Sequence, residues 1–300
     1  MAISRIPSPK GSVVLNDDTQ LMRYMKFPRF LTLLHNGLSF TPMHRLRSIN
    51  DPLEGREIAD PIVIDTLLEE LEHSTAAYTE LMSYPVVRDL PRKAQPGEVS
   101  ETRTLAAAFH SFVSRRRAAS CWYANNFESS AMWATFAAEG VAVRTTVGSL
   151  CKALSNDREF SIAAVRYRHR EKLTIGIGNY EKFPHLALRP YLLKGREFEH
   201  EREVRIVTRC HETDRSLIVK IPRLSECIHE IIISPYLQES DAVAIKALIE
   251  QLLAKAHGVN TSVPVSFSTI NKTMIAAYIA EAAADDLAAE YLSNLDEIPL

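Results

Sequence analysis

The chain has 300 residues, of which 46% are apolar and 24% are charged, and its net charge is −2. These proportions are typical of a globular protein with a sizeable core, and unlike those of a disordered or collagen-like chain. Because 35 basic residues are nearly balanced by 37 acidic ones, the overall charge gives no basis for general binding to nucleic acid or to a membrane surface.

The cellular compartment is predicted from the N-terminus, the apolar runs and the cysteines. The N-terminal segment contains prolines and lacks the apolar stretch of a secretory signal. No apolar run approaches the ~18–20 residues that span a bilayer. The cysteines, Cys121, Cys151, Cys210 and Cys227, lie far apart along the chain, which suits free thiols in a reducing environment. We therefore expect a bacterial-type, cytoplasmic protein with no membrane contact.

In chain order, the sequence begins with a polar, flexible arm over residues 1–19. Helices are predicted where apolar residues recur at intervals of three and four. They cover Phe27–Asn36 with Gly37 as C-terminal cap, Pro61–Met82, Glu101–Arg116, Glu128–Ala138, Val147–Leu154 with Thr146 as N-cap, Tyr180–Leu193, Ser240–Ala256 and Met274–Leu295. Strands are predicted at Gln20–Met25, Leu38–Thr41, Ala118–Tyr123, Gly140–Thr145, Ser161–Arg168, Lys172–Ile177, Arg202–Thr208, Ser216–Ile221, Ile228–Ser234 and Ser262–Ser268. Long loops are predicted at Pro42–Gly55 and Pro85–Ser100.

The order of these elements predicts the fold class. Helices dominate the first half and strands the middle, without regular βαβ alternation, which favours an α+β layout over a doubly wound parallel sheet. We predict a single domain over residues 20–268, built on a central, mostly antiparallel or split β-sheet with peripheral helices. An Ala-rich C-terminal helix over residues 269–300 follows, and we expect Met274–Leu295 to pack on this domain or to mediate homo-oligomer formation.

Several common catalytic and metal-binding motifs do not occur in the sequence. It contains no GxxxxGK[ST] phosphate-binding loop, no HExxH helix and no GxSxG nucleophile turn. The histidines and cysteines do not show zinc-ligand spacing, so no metal is expected. Gly176-Ile-Gly178 lacks the third glycine of a dinucleotide-binding fingerprint, and we interpret it as a kinked strand end.

Five local patterns are unusual for simple scaffolding. In chain order they are Met22-Arg23-Tyr24-Met25 with Phe30-Leu31, Asn50-Asp51-Pro52-Leu53-Glu54-Gly55, Ser120-Cys121-Trp122 with Glu128 and Met132-Trp133, Gly140 through Thr146, and Phe198 through Ile206 followed by Ile233-Ser234-Pro235. In this order and spacing the chain resembles the bacterial family named domain of unknown function 2971, over about residues 20–268. The resemblance implies a shared fold and leaves the activity open.

The layout of an early Arg-Tyr strand and a late Glu-x-Glu strand is also similar to that of the ADP-ribosyltransferase superfamily. This second resemblance is one of order and residue type. It implies NAD as a co-substrate, a basic residue on the first strand contacting the NAD ribose, and a late glutamate beneath the reacting ribose. Arg23 and the pair Glu201 and Glu203 occupy those places in this sequence.

Cleavage of the nicotinamide–ribose bond develops oxocarbenium character, which a nearby carboxylate stabilises. Glu201 and Glu203 are two residues apart, so on a strand both side chains leave the same face. One would bond the ribose 2′-hydroxyl while the other accepts a proton. Arg23 would pair with a pyrophosphate or ribose oxygen, and Tyr24 or Phe40 would stack on nicotinamide.

The loop residues Asn50, Asp51 and Glu54 would add polar groups to the same cleft, and we predict that Arg23, Asn50, Asp51 and Glu203 converge on one pocket. Turn formation is the competing interpretation of this loop, because Asn, Asp and Pro favour turns.

Each of the other candidates has a structural alternative as well. Glu201, Glu203 and Arg205 could form a charged outer face on a strand. Arg23 could bridge neighbouring groups without binding a ligand. Trp122 and Trp133 are predicted core aromatics, and Cys121 is predicted to be an inert buried thiol.

Two functions from different classes therefore remain. The first is an NAD-consuming enzyme, either an ADP-ribosyltransferase or an NAD glycohydrolase, acting on an unknown protein or nucleic-acid acceptor. A nucleic-acid acceptor would need a local basic surface, and Arg115–Arg117 and Arg166–Lys172 are the segments that offer one. The second is a non-catalytic binding or regulatory module, for instance in bacterial or phage conflict, that associates through Met274–Leu295.

Overall fold

The computed structural model describes residues 4–5, 13–46, 114–154, 158–168, 191–221, 224–257 and 263–270. Its strands are β1 Ser4–Arg5, β2 Gln20–Lys26, β3 Leu38–Pro42, β4 Arg117–Tyr123, β5 Gly140–Thr146, β6 Phe160–Ala164, β7 Arg166–Arg168, β8 Leu193–Gly195, β9 Glu203–Arg209, β10 Leu217–Val219, β11 Glu230–Ile233 and β12 Val265–Phe267. Its α-helices are α1 Phe27–Asn36, α2 Ser130–Phe136, α3 Val147–Ala153, α4 Leu224–Cys227 and α5 Glu239–His257. The 3₁₀ helices are Met43–Arg45 and Arg196–Glu201.

The α+β class is confirmed, with helices beside a mixed, mostly antiparallel sheet. Apart from the predicted strand Ser161–Arg168, the strands and helices predicted within the described ranges occur there, with ends shifted by a few residues. The predicted elements Pro61–Met82, Pro85–Ser100, Lys172–Ile177 and Met274–Leu295, together with most of Glu101–Arg116 and Tyr180–Leu193, lie outside the described residues. Among the helices that the structure describes, none is both long and apolar enough to cross a membrane.

The chain forms two compact units. Unit 1 comprises Met1–Arg23, Leu31–Asn125 and Thr145–Cys227, and unit 2 comprises Tyr24–Phe30, Asn126–Arg144 and Ile228–Leu300. The boundaries predicted for the arm and for the C-terminal helix stay predictions.

Unit 1 is organised around the long antiparallel ladder of β4 and β9, in which Arg117 pairs with Arg209 at one end and Tyr123 with Glu203 at the other. Strand β6 pairs antiparallel with the other edge of β9, and β1 adds to β6 in parallel. Strand β3 pairs with β4 and β10 pairs with β3. Strand β9 is therefore an internal strand paired on both edges. Six of its seven residues are buried, so both faces of the sheet are covered along most of this strand.

The turn between α1 and β3 needs a glycine. The N–H of Gly37 donates to the carbonyls of Thr32 and Leu33 at 3.2 Å, which ends the helix. Its φ of 113° is in the region that favours glycine. A Cβ at this position would also clash with the carbonyl oxygen of Val219. The predicted cap at Gly37 is therefore confirmed.

The predicted strand Ser161–Arg168 is two strands rather than one. Strand β6 pairs with β9, whereas β7 pairs with β8 in a separate two-stranded sheet. Val165 lies between them, and its N–H donates to the carbonyl of Glu203 at 2.8 Å. The change of partner, which cannot be read from the alternation of side chains, divides the segment. This break places β7 and β8 beside the start of β9.

Unit 2 contains β5, β11 and β12, with β11 in the middle, and helices α2 and α5. Helix α2 begins after Ser129, whose side chain accepts a hydrogen bond from the Met132 N–H.

Glu128 was predicted in the first turn of this helix but precedes its N-cap, Ser129. Its carboxylate instead accepts hydrogen bonds from the side chain of Trp133 at 2.9 Å, from Ser268 at 2.6 Å and from Thr269 at 2.9 Å, which explains why its pKa is lowered despite burial.

Candidate functional site

Unit 1 buries a group of four charged side chains, which we name the charged cluster: Lys194, Glu201, Glu203 and Arg205. The Lys194 ammonium donates to Oε2 of Glu201 at 2.5 Å and to Oε2 of Glu203 at 3.1 Å. Arg205 donates from Nε to Oε1 of Glu203 at 2.8 Å and from Nη2 to Oε2 at 2.9 Å. Two positive charges therefore balance two negative ones, with Glu203 at the centre.

Three elements bring the cluster together. Glu203 and Arg205 are alternate residues of β9, so they share a face of the sheet. Lys194 is the middle residue of β8. Glu201 is the last residue of the 3₁₀ helix Arg196–Glu201 rather than part of the strand, which corrects the prediction that both glutamates lie on one strand. The two glutamates nevertheless meet, because both contact Lys194.

The backbone at Arg202 makes this convergence possible. Arg202 has a φ of 39° and is in the left-handed conformation, which is costly for a residue with a Cβ. Its N–H donates to the carbonyl of Glu199 at 3.1 Å, and its carbonyl accepts from the N–H of Ala124 at 3.0 Å. The strain therefore lies at the point where the chain turns from the 3₁₀ helix into β9.

This strain gives a prediction for the backbone of the site. Arg202→Gly and Arg202→Ala remove the same side chain, but only glycine adopts this conformation without a Cβ penalty. We expect the glycine variant to be more stable than the alanine variant by about 1 kcal/mol, measured as the free energy of unfolding in urea. Equal stability of the two variants would show that Arg202 is not strained in solution.

The charged cluster differs from an ordinary strand surface because its side chains are buried. The side chain of Arg205 is 1% exposed and that of Glu203 is 7% exposed, and Glu201 and Lys194 are also largely covered. The alternative interpretation of Glu201, Glu203 and Arg205 as a solvated outer face is therefore wrong. The sheet has a second buried face here because β7, β8 and the 3₁₀ helix cover β9 at this end.

The pKa values of the two glutamates shift in opposite directions. Burial favours the neutral form of Glu203, but the charges of Arg205 and Lys194 outweigh it and lower the pKa of Glu203 to about 2. Burial dominates at Glu201 and raises its pKa; the positive charge of Lys194 offsets part of this rise, and the negative charge of Glu203 adds a smaller contribution in the same direction as burial. One carboxylate is thus held ionised while its neighbour takes up a proton more readily than usual.

Three further residues at the cluster were missed by the sequence analysis as site residues: Tyr167, Lys194 and Cys121. The Tyr167 hydroxyl accepts the Glu203 N–H at 2.7 Å. The Cys121 side chain hydrogen-bonds to Glu203 and helps to lower its pKa. Cys121 is half-buried rather than buried as predicted, and its inertness stays a prediction. These residues approach Glu203 through strand pairing between distant segments. Cys121 lies in the Ser120-Cys121-Trp122 pattern, whereas no local motif marks Tyr167 or Lys194.

Arg23 lies elsewhere. The register pairs Trp122 with Val204, whereas Tyr123 pairs with Glu203, and successive residues of a strand point to opposite faces. Trp122 is therefore on the face opposite Glu203. The Arg23 guanidinium lies over the Trp122 ring, 5.8 Å from its centroid. The structure does not bring Arg23 together with the glutamates, which corrects the prediction that they share one cleft.

Arg23 instead has structural contacts on its own face of the sheet. Its Nη2 donates to the carbonyl and the hydroxyl of Ser39 at 3.1 Å, so Arg23 joins β2 to β3. This agrees with the bridging alternative for Arg23. A pyrophosphate bound there would be separated from Glu203 by the thickness of the sheet.

The two rings predicted to stack on nicotinamide, those of Tyr24 and Phe40, pack against other aromatic rings in the core of the protein. Phe40 is fully buried and packs against Phe160 with ring centroids 5.8 Å apart. Tyr24 is buried with its ring edge-on to the ring of Trp133, and the two ring centroids are 4.9 Å apart. The Tyr24 hydroxyl accepts a hydrogen bond from the Ser129 N–H at 3.0 Å. The prediction that Tyr24 or Phe40 stacks on nicotinamide is therefore corrected, because packing occupies both rings.

The remaining predicted residues divide into core residues and residues outside the described ranges. Trp122 and Trp133 are buried, which confirms them as core aromatics. Asn50, Asp51 and Glu54 lie outside the described residues. Within the described ranges, no group of three or more His, Cys, Asp or Glu residues is placed to hold a metal ion.

Comparisons with known proteins identify no relative of this chain. No protein-family model, curated protein or solved structure matches the chain. The resemblances stated above stay predictions, and the proposal that follows therefore depends on the charged cluster.

Proposed function

We propose that the charged cluster is the acid–base centre of an enzyme that cleaves the N-glycosidic bond of NAD, as an NAD glycohydrolase or an ADP-ribosyltransferase-like enzyme. The observation that supports this proposal is the pair of glutamates that share Lys194 while their pKa values shift in opposite directions. A pair of carboxyl groups with separated pKa values suits a reaction that needs one proton carrier and one permanent negative charge.

The two glutamates would have different roles. Glu201 is the more exposed of the two, at 12% of its side chain, and its raised pKa suits the exchange of a proton with the attacking water or acceptor group. Glu203 is held by Arg205 and Lys194, so we assign it to orienting Lys194 and Glu201 and to supplying a fixed negative charge near the developing oxocarbenium ion.

The test is nicotinamide release from NAD by the purified full-length protein, measured with water alone and with candidate protein or nucleic-acid acceptors. We expect Glu201→Gln to lower kcat by about 10²- to 10⁴-fold, the usual contribution of general acid–base catalysis. Glu199→Gln is the matched control, because Glu199 lies in the same 3₁₀ helix with its side chain 57% exposed and should leave kcat unchanged.

Two results would contradict the proposal. The first is a folded wild-type protein that releases no nicotinamide with any acceptor. The second is release by Glu201→Gln at the wild-type rate, which would place the reaction elsewhere in the protein.

One observation favours the second candidate, a non-catalytic binding or regulatory module. Both carboxylate oxygens of Glu203 are bonded to protein cations, as expected of a network that only fixes the structure of unit 1. This candidate predicts no NAD turnover and gives the predicted helix Met274–Leu295, outside the described residues, the role of contacting a partner. The nicotinamide-release assay distinguishes the two candidates.

A further inference from the structure

One end of the unit 1 sheet carries arginines on or beside four neighbouring strands. Because β3, β4, β9 and β6 pair antiparallel in that order, the ends of β3 and β9 and the beginnings of β4 and β6 meet there. The arginines at this end, which we name the arginine edge, are Arg45, Arg115, Arg116, Arg117, Arg158 and Arg209. Segments far apart in the chain thus bring their positive charges to one end of the sheet.

Direct contacts join the segments of the arginine edge. The Arg158 guanidinium donates to the carbonyl of Arg209 at 2.8 Å, which joins the beginning of β6 to the end of β9. On the β3 side, Arg45 donates to the ring of His44 at 3.4 Å, and His44 contacts the carbonyl of Ser114 at 3.4 Å. The arginines are therefore neighbours in the structure and not only in the strand order.

Few carboxylates neutralise these charges. Arg116 pairs with Glu212 at 2.7 Å, and Arg209 lies 3.8 Å from Glu159, with both side chains of that second pair exposed. The other arginines, which have no carboxylate of the described residues within ion-pair distance, are Arg45, Arg115, Arg117 and Arg158. The arginine edge therefore has an excess of positive charge.

Two of these arginines face each other directly. Arg117 and Arg209 are opposite residues in the ladder of β4 and β9, which places their Cβ atoms about 4.5–5.5 Å apart on one face of the sheet. Like charges at opposite positions repel and destabilise the sheet. Burial of Arg117 and the charge of Arg209 lower the pKa of Arg117, so the protein compensates this charge only in part. An anion beside both guanidinium groups would remove the repulsion.

We infer that the arginine edge binds the phosphate backbone of nucleic acid without reading its sequence. Guanidinium groups bond phosphate oxygens in pairs, and such contacts carry no base specificity. Neighbouring strands are ~4.8 Å apart, so the four strands span about 14 Å. Phosphates follow one another every ~3.4 Å along one strand of a duplex, so the arginine edge reaches several of them. This surface is independent of the proposed function, because it lies at the end of β9 opposite to Glu203.

A phosphate backbone fits the arginine edge better than an acidic protein does. The core of a protein–protein interface is apolar and rich in aromatic side chains. Among the described residues of unit 1, the exposed large apolar side chains are those of Val14 and Ile218, and neither belongs to the segments that form the arginine edge. Binding to a phosphate backbone depends mainly on cations and on the release of counterions, which this surface provides.

The test measures binding of nucleic acid to the purified full-length protein by fluorescence anisotropy. The probes are labelled single-stranded DNA, single-stranded RNA and duplex DNA of equal length and mixed sequence, which distinguish the possible sources of the backbone. Each is titrated at salt concentrations from about 0.05 to 0.2 M. We expect at least one probe to bind, with a logarithm of affinity that falls linearly with the logarithm of salt concentration, by about 0.7–0.9 per phosphate contact.

The main variant is Arg115→Gln with Arg158→Gln, because both side chains are exposed. Since each contact contributes about 5- to 8-fold at 0.1 M salt, we expect this variant to bind about 25- to 60-fold more weakly there and to have a shallower salt dependence. Arg115→Lys with Arg158→Lys keeps both charges and should retain most of the affinity. The matched control is Arg196→Gln, at the other end of β9 with its side chain 60% exposed, which should bind as the wild type does.

Four results would overturn the inference. The first is a folded wild-type protein that binds none of the probes. The second is a glutamine variant with the affinity and salt dependence of the wild type, and the third is an equal loss in the control. The fourth is competition by polyglutamate as strong as by an oligonucleotide of equal charge, which would identify an acidic protein as the partner. If the glutamine variant does not fold, Arg45→Gln replaces it, with an expected loss of about 5- to 8-fold.

Discussion

Replacing Glu203 with glutamine is expected to lower the free energy of unfolding by about 3–5 kcal/mol, the usual cost of leaving a buried charge without its partner. Arg205 is 1% exposed and would keep its positive charge after the substitution. Lys194 would lose its ion pair with Glu203 and keep the one with Glu201. The glutamine side chain fills about the same volume as that of glutamate. The loss of stability therefore measures the missing charge and hydrogen bonds rather than the creation of a cavity.

The measurement is urea unfolding at neutral pH, with Glu199→Gln as the exposed control from the neighbouring 3₁₀ helix. We expect the control to change stability by less than about 1 kcal/mol. The double variant Glu203→Leu with Arg205→Met removes the buried pair as a whole and is expected to recover most of the loss. Equal stability of Glu203→Gln and the wild type would show that water solvates Arg205 in solution and that the cluster is not buried.

Much of the fold could be predicted from local sequence patterns. Helix α1, its cap at Gly37 and strands β4, β5 and β9 all follow from periodicity and from the residue types at their ends. The prediction of one strand over residues 161–168 is wrong because the partner changes at Val165. Partner choice depends on segments far apart in the chain, which local patterns do not contain.

The candidate site could be predicted only in part, for the same reason. The sequence marked Glu201 and Glu203 through the late Glu-x-Glu pattern and the family layout that this pattern resembles. It did not mark Lys194 or Tyr167, which reach Glu203 only through the β7–β8 pair and the left-handed turn at Arg202. Nor does strand alternation reveal that Arg23 faces Trp122: the face that two strands share depends on their register.

Stability is expected to fall in acid because the carboxylate of Glu203 must be protonated. The folded-state pKa of Glu203 is about 2, below its ordinary value of 4.5. A lowered pKa contributes stability that is present above the ordinary value and is lost as the pH falls toward the folded-state value. The difference between these two pKa values corresponds to a loss on the order of 3 kcal/mol in the free energy of unfolding. Glu201 acts in the opposite direction, because its raised pKa makes its ionisation destabilising as the pH increases.

The contribution of Glu203, including its effect on Glu201, can be measured by comparing the wild type with the double variant Glu203→Leu with Arg205→Met in urea from pH 2 to pH 7. Glu128, whose pKa is also lowered, is present in both proteins, so its acid dependence cancels in the difference. We expect the wild type to lose stability relative to the double variant as the pH falls from about 4.5 to about 2. A difference that does not change with pH would mean that Glu203 has the same proton affinity folded and unfolded, and that Arg205 and Lys194 do not hold it ionised.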